Sequence, residues 1–368
     1  VKFTVNQTSF KKALSIVGTA VPSRATHPIL NNFFIEATED KLTIIGFDTV
    51  IGIKTSIQSI TQESGLITIP ATILNNIISK LQSEEITIEI KDNRATITTE
   101  SGHFDIGTMP ATDYPEFPDV PESESIFIPL VEFTESLKAV SFAASTEETK
   151  MILTGIHIKP ELDSVEFAAT DSHRLSVTRI EHDLGDTAKP VTISLHTIKT
   201  LEKVLSECKG EENIYLKINE STTFFTCGDY TVIGRVLQGK YPAYQQLIPK
   251  SFTTTATIPR KELIRKLELV STIVNQGNHL TVFSFVEEKL TISAEGQDIG
   301  KGEDSLAIEL SGNDIKVGFN CKYLIDGLKT MLSDSVRFSL NTPVSPVIIE
   351  PLDSSKTIFL VMPVSIIK

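Results

Sequence analysis

The chain has 368 residues, 40% apolar and 22% charged, with a formal net charge of −13 and no Trp. These are globular proportions, and the length exceeds what one hydrophobic core organises, so several domains are expected. The apolar runs fall far short of a membrane span, Val1-Lys2-Phe3-Thr4 reads as the start of a strand rather than a signal peptide, and Cys208, Cys227 and Cys321 lack CxxC spacing. Reduced structural thiols and a cytoplasmic location are therefore expected.

In chain order, KFTVNQTSFKKALSIVGTAV gives a short strand and then a helix over residues 7–20, with a stripe of Phe10, Leu14 and Val17 flanked by Lys11 and Lys12. Two strand segments follow, FFIEAT and LTIIGFDTVIGIKTSI. The stretch ITIPATILNNIISKL predicts a second helix over 71–82, and ITIEI, NRATITT and SGHFDIGTMPATDYP add short alternating strands. After a proline- and acid-rich linker at 115–124 the pattern restarts. It has a helix over 129–142 (Phe133, Leu137), strands GIHIKP and VEFAATDSHRLSVTRI, a helix over 196–209, strands IYLKI and TTFFTC, and the close GDYTVIGRVLQGKYP. Beyond a linker near 249–251, a third round has helices over 259–272 (Leu263, Leu267) and 320–332 and ends in IFLVMPV.

The three rounds repeat one pattern. TIPATIL at 68–74 lies over TISLHTI at 192–198, Tyr114-Pro115 lies over Tyr241-Pro242, and the equivalent starts at 68, 192 and 318 are 124 and 126 residues apart. The expectation is an α+β chain of three tandem domains, 1–120, 126–249 and 252–368, each with two helices packed on antiparallel sheets. One helix-and-strands unit cannot bury its apolar face alone, whereas two back to back can. Sheet edges left at the ends of such a series favour closure by self-association, here into a ring.

Candidate chemistry is sparse. Asp171-Ser172-His173-Arg174 gathers a carboxylate, a hydroxyl and an imidazole, but a triad needs groups converging from separate elements, so a turn or a binding rim is the better reading. Gly296-Gln297-Asp298-Ile299-Gly300-Lys301-Gly302 has three residues rather than four between its first two glycines, and Gly302 where a phosphate loop needs Ser or Thr. Seven scattered histidines carry no metal-ligand spacing, and no cofactor is implied. The charge distribution is more informative. The six predicted helices sum to +6 and leave −19 for the rest of the chain. Lys11, Lys12, Lys80, Lys199, Lys203, Lys266 and Lys329 stand on them. Without a helix-turn-helix or zinc finger, such a surface would touch duplex DNA only through phosphates, weakly and without reading sequence.

Six motifs resemble the bacterial beta sliding clamp family, the processivity subunits of DNA polymerase III. They are Lys2-Phe3-Thr4-Val5, Ser23-Arg24-Ala25-Thr26-His27-Pro28-Ile29-Leu30, Leu153-Thr154-Gly155, Ala169-Thr170-Asp171-Ser172-His173-Arg174-Leu175, Gly239-Lys240-Tyr241-Pro242 and Val361-Met362-Pro363-Val364. Their order and spacing carry the resemblance over the whole chain. It implies a non-catalytic, head-to-tail homodimeric ring around duplex DNA. It also implies an apolar cleft between the second and third domains for short Gln/Leu/Phe segments of the replicative polymerase, the clamp loader and repair proteins. By motif, that cleft would use Leu153, Thr170, His173, Arg174, Leu175, Pro242, Leu247, Asn320, Tyr323, Val344, Leu360, Met362, Pro363 and Val364. DNA would be met by Arg24 and the helical lysines, and the dimer seam by Phe104, Ile106, Val270 and Ile273.

Two departures from the family pattern are Ser365 and Lys150, each standing where the family usually has Arg; both remove a planar fork that could hold a peptide carbonyl or carboxylate. The loop Glu147-Glu148-Thr149-Lys150 is also acidic for a DNA contact. The competing readings are a hydrolase using Asp171 and His173, and an extracellular adhesive protein. The first requires convergent titratable groups, and the second a signal sequence and paired cysteines.

Overall fold

The computed structural model describes all residues except 101, 124, 184–188, 220, 275–278, 297–298, 355 and 367–368. Six α-helices are described: α1 (Gln7–Val17), α2 (Ala71–Lys80), α3 (Leu130–Ser141), α4 (Leu195–Leu205), α5 (Arg260–Ser271) and α6 (Cys321–Thr330). The starts of α2, α4 and α6 are 124 and 126 residues apart, which is the repeat spacing. Pro70, Pro129 and Pro259 each end a strand just before a helix, where a missing N–H and a fixed φ stop the ladder without hindering the first turn. Asn6 caps α1 by accepting from Ser9 N at 3.1 Å, and Asn320 caps α6 by accepting from Lys322 N at 3.0 Å.

Several helices end earlier than their periodicity predicts. α1 tightens into a 3-10 turn at Gly18–Ala20, and α4 stops at Leu205 rather than at 209. The backbone turns extended at Leu81 and Met331, so that Met331 leaves its helix and joins the core.

The chain forms two compact units, Val1–Val131 with His196–Val236 and Glu132–Leu195 with Leu237–Lys368. The middle repeat contributes to both. In the first unit an eight-stranded antiparallel sheet runs in the order 126–129, 213–218, 222–227, 230–235, 51–58, 41–47, 32–37, 65–70. A five-stranded sheet has the order 60–63, 2–6, 85–91, 94–98, 103–107, and α1 and α2 pack together. The second unit has a nine-stranded sheet in the order 191–194, 155–160, 165–170, 174–180, 357–361, 347–351, 335–340, 254–259, 309–312. Its four-stranded sheet has the order 300–307, 289–296, 280–286, 315–320, and α5 packs on α6.

The core of the second unit is aromatic, with Phe283, Phe285, Phe319, Phe338 and Phe359 fully buried beside Leu263 and Leu267 of α5 and Leu324 and Leu328 of α6. Gly327 sets how closely α6 approaches. A Cβ there would meet the Phe359 ring at 2.3 Å.

Candidate functional site

In the second unit, strand Arg174–Ile180 pairs antiparallel with strand Thr357–Val361, placing Arg174 opposite Val361 and Leu175 opposite Leu360. One sheet therefore crosses the joint between the second and third repeats. Over this joint Leu153, Leu175, Val177, Tyr241, Tyr244, Ile348 and Leu360 are buried as one cluster, with Ile152, Ile248, Phe252 and Ile358 packed against it. Exposed apolar side chains stand within a few positions of these residues. Leu247, next to Ile248, is 61% exposed; Val344, four residues before Ile348, is 70%; Met362, two after Leu360, is 37%. Pro242 is exposed as well. The joint thus combines a buried apolar cluster with exposed apolar side chains close to it in sequence.

The predicted cleft residues separate into distinct roles. Leu153, Leu175 and Leu360 are 8%, 2% and 3% exposed and lie in the buried cluster. Arg174 is 9% exposed and paired within its unit. Its Nε lies 3.0 Å from Asp171 Oδ2, its Nη1 lies 2.9 Å from Asp326 Oδ2, and its guanidinium sits 4.4 Å from the Tyr323 ring centre. A cation flanked by two carboxylates and a ring face is a strut that ties the joint together. His173 is exposed and stacks on Tyr323 at 6.3 Å. Thr170 donates from Oγ1 to Arg174 O at 2.7 Å, and Asn320 is engaged as the α6 cap. The terminal segment is held in place, with Met362 N donating to His173 O at 2.9 Å and Val364 N to Gly318 O at 2.8 Å.

The enzyme-like spot is a turn. Asp171 Oδ1 accepts from His173 N at 2.9 Å and Arg174 N at 3.0 Å, and Ser172 takes φ +81°, so the carboxylate is committed to backbone and to Arg174 rather than to the imidazole. The glycine-rich stretch is an antiparallel hairpin with Gly296 opposite Gly300, not a loop opening a helix; positions 297–298 lie outside the described residues. Among the described residues, no group of three or more His, Cys, Asp or Glu could hold a metal ion, and no helix is long and apolar enough to cross a membrane.

Beneath the joint lies a polar group that sequence reasoning missed. Glu166, 2% exposed, accepts from Tyr244 Oη at 2.5 Å and Gln245 Nε2 at 3.2 Å, and pairs with Arg179. Burial alone would raise its pKa, but the Tyr244, Arg179 and Gln245 donors outweigh burial and hold the carboxyl below its usual range. Nearby, His157 stacks on Tyr241 at 4.5 Å, and burial, helped by Lys159, lowers its pKa to about 4.

Three family models match the chain: the N-terminal, central and C-terminal domains of the DNA polymerase III beta subunit, at residues 1–118, 128–243 and 245–365. The beta sliding clamp of Synechocystis sp. is 40% identical over 389 residues, covering 100% of both chains. The chain belongs to the DNA polymerase III beta subunit family. Within this family of non-catalytic clamps, the Bacillus subtilis beta sliding clamp is 28% identical, with 99% of each chain covered. The crystal structure of the Bacillus subtilis clamp superposes with a TM-score of 0.95 at 27% identity, covering 100% of this chain and 99% of the other. A Bartonella birtlesii clamp solved with bound griselimycin gives a TM-score of 0.95 at 28% identity, with 99% of each chain covered. Clamp architecture and a role in DNA replication follow for this chain.

The predicted DNA contacts differ in availability. Arg24, Lys11, Lys80, Lys199 and Lys203 are exposed. Lys12 faces Glu207 at 3.1 Å and Lys329 faces Glu268 at 2.7 Å, both still about half exposed. Lys266 is less available: its side chain is 11% exposed and bonded to Asp304 at 2.9 Å. Arg265, its neighbour, is the exposed cation there.

Two of the predicted seam residues are buried within the chain itself. Val270 lies on the inward stripe of α5 with Leu263 and Leu267 and is 3% exposed, and Ile106, opposite Ala95, is 5% exposed. Phe104 is 43% exposed and lines a groove of about 340 Å³ with Ile73, Asn76, Ile77, Lys80 and Leu81, while Ile273 is partly exposed.

Proposed function

We propose that the chain works as a DNA sliding clamp in the cytoplasm. Two copies close head to tail around duplex DNA and tether the replicative polymerase, the clamp loader and repair proteins through the joint of the second unit. The observation that carries this reading is the buried floor of Leu153, Leu175 and Leu360 beside exposed Leu247, Val344 and Met362. Three domains at 1–120, 126–249 and 252–368 fit the family matches and the repeat spacing. The exposed cations Arg24, Lys11, Lys12, Lys199, Lys203 and Lys329 would face phosphates. Lys80 lines the groove with Phe104 and would serve the dimer seam, with Ile273 opposite. The relative solved bound to griselimycin shows that a protein of this fold can hold a ligand.

The deciding experiment measures mass in solution together with retention on circular and linear duplexes. A dimer retained on closed circles and lost from linear DNA is expected. A monomer at micromolar concentration, or equal retention on both, overturns the reading.

A further inference from the structure

The two joints use equivalent strands. In the first unit strand Lys41–Phe47 pairs with Ile51–Gln58, placing Thr43 opposite Ser56; in the second, Val165–Thr170 pairs with Arg174–Ile180, placing Glu166 opposite Arg179. The cross-strand position held by Thr43 and Ser56, whose hydroxyls lie 3.0 Å apart, is thus held in the second unit by an ion pair of a buried carboxylate, Glu166, with an exposed guanidinium, Arg179. The linker residues correspond too. Tyr114 and Phe117 follow the first round at the same spacing as Tyr241 and Tyr244 follow the second. Phe117 has no hydroxyl, whereas Tyr244 donates its own to Glu166 at 2.5 Å.

Strand pairing at the first joint manages without a carboxylate, so Glu166 answers a requirement peculiar to the second. Burying an ionised carboxylate is unfavourable unless several donors meet it, and two of its three donors, Tyr244 and Gln245, belong to one 3-10 turn, Tyr244–Leu247. The turn ends at Leu247, which the fold leaves 61% exposed. We infer that Glu166 is a positioning residue for the partner cleft, holding this turn so that Leu247 is presented already ordered to an apolar side chain of the incoming peptide. Fixing the turn before binding removes an ordering penalty that association would otherwise carry. The inference rests on the cleft reading above.

A double-mutant cycle tests it, with the synthetic peptide Gln-Leu-Ala-Leu-Phe titrated calorimetrically into the full-length protein. Tyr244→Phe, which copies the first joint, should weaken binding about tenfold with a faster off-rate. In a Leu247→Ala background the same change should weaken it by less than about twofold, because coupling between the sites is the signature of positioning. Glu166→Gln keeps an acceptor for Tyr244 and should retain affinity within about threefold. Additive effects of Tyr244→Phe and Leu247→Ala, or an unchanged affinity for Tyr244→Phe, overturn the positioning role while leaving the cleft intact. Unchanged binding by Leu247→Ala overturns the cleft reading and the positioning role with it.

Discussion

At the joint between the first and second repeats, Gly52 stands opposite Ile233 and the chain's own Phe117 lies on it; a Cβ at Gly52 would meet the Phe117 ring at 2.6 Å. Phe117 also meets Phe47 edge-on at 5.6 Å, and Tyr114 packs on Phe34 at 5.3 Å. In the same register at the other joint, Leu175 stands opposite Leu360, and Leu247, Val344 and Met362 remain in solvent. One joint is sealed by a ring from its own linker, whereas the other keeps a leucine floor and an unsatisfied apolar rim. The lesson is that, with the sheet pairing unchanged, moving one aromatic ring and one glycine turns a sealed seam into one with exposed apolar side chains, the feature on which the proposed partner site rests.

The largest effect should come from cutting back the chain end at the second joint. Deleting residues 362–368 removes Met362 and the backbone bonds that tie the segment to His173 and Gly318. Peptide affinity should fall by more than about a hundredfold, while the mass in solution stays that of the intact protein. Calorimetry beside sedimentation reads both, and equal affinity would move the partner site elsewhere.

Next comes a reciprocal pair. Phe117→Ala should lower stability to urea by about 2–4 kcal/mol and leave peptide affinity unchanged, because its ring fills its own chain's seam. Leu247→Ala should do the opposite, with about tenfold weaker binding and a stability change under about 0.5 kcal/mol. Any peptide effect of Phe117→Ala would erase the contrast between the joints.

Acid should also separate them. Among the described residues of the first apolar cluster Tyr114 is the one titratable side chain, and burial raises its pKa. The second joint has His157, with a folded pKa near 4 against an ordinary 6.5, and Glu166, with its pKa lowered from 4.5. Between pH 6.5 and 4 the unfolded chain binds a proton at position 157 that the folded chain refuses, so stability falls as pH falls. The Glu166 contribution is complete above its unfolded value and is lost as pH drops through the folded one. Allowing for solvent screening, the decline from pH 7 to 4.5 should be about 1–2 kcal/mol in denaturant melts, and His157→Phe should flatten most of it.

The smallest expected difference concerns DNA. The loop that carries exposed Arg24 rests on the first cluster through Ala25, Ile29 and Leu30, whereas the corresponding loop at the second joint offers Glu147, bridged to Lys150 at 3.1 Å, and Glu148. Arg24→Glu should weaken duplex binding several-fold at low salt, and Glu148→Gln should strengthen it by about twofold, both independent of sequence. Fluorescence anisotropy over a salt series would register either change; indifference to salt would remove phosphate contact from the account.

Much of this architecture was legible in the sequence because repetition is a strong signal. The helix starts at Ala71, Leu195 and Cys321 follow directly from TIPATIL and its copies. Leu153, Leu175 and Leu360 were assigned to a cleft only by resemblance, since strand alternation does not distinguish a floor from any other core. Arg174 was read as a cleft residue and Lys266 as a DNA contact, because sequence cannot show that Asp326 and Asp304 converge on them from 152 and 38 residues away. Val270 fell to helical periodicity, which was readable from Leu263 and Leu267. Glu166 was missed although a signal existed: a lone carboxylate in a strand otherwise made of Val, Phe, Ala and Thr.

The sheet pairings across the joints carry a further consequence for synthesis. Ile53 pairs through Val232, and Val177 through Ile358, partners 179 and 181 positions downstream. At about 5–20 residues per second, the strand Ile51–Gln58 waits roughly ten to forty seconds for its neighbour to leave the ribosome. Through that interval a ladder edge with Ile51 and Ile53 stands unpaired, and Lys54 is the charge placed on it. Lysine on an open edge discourages pairing with a stranger. A charge at Lys54 would therefore matter most before the strand Tyr230–Arg235 is made, on a timescale that the finished protein no longer records.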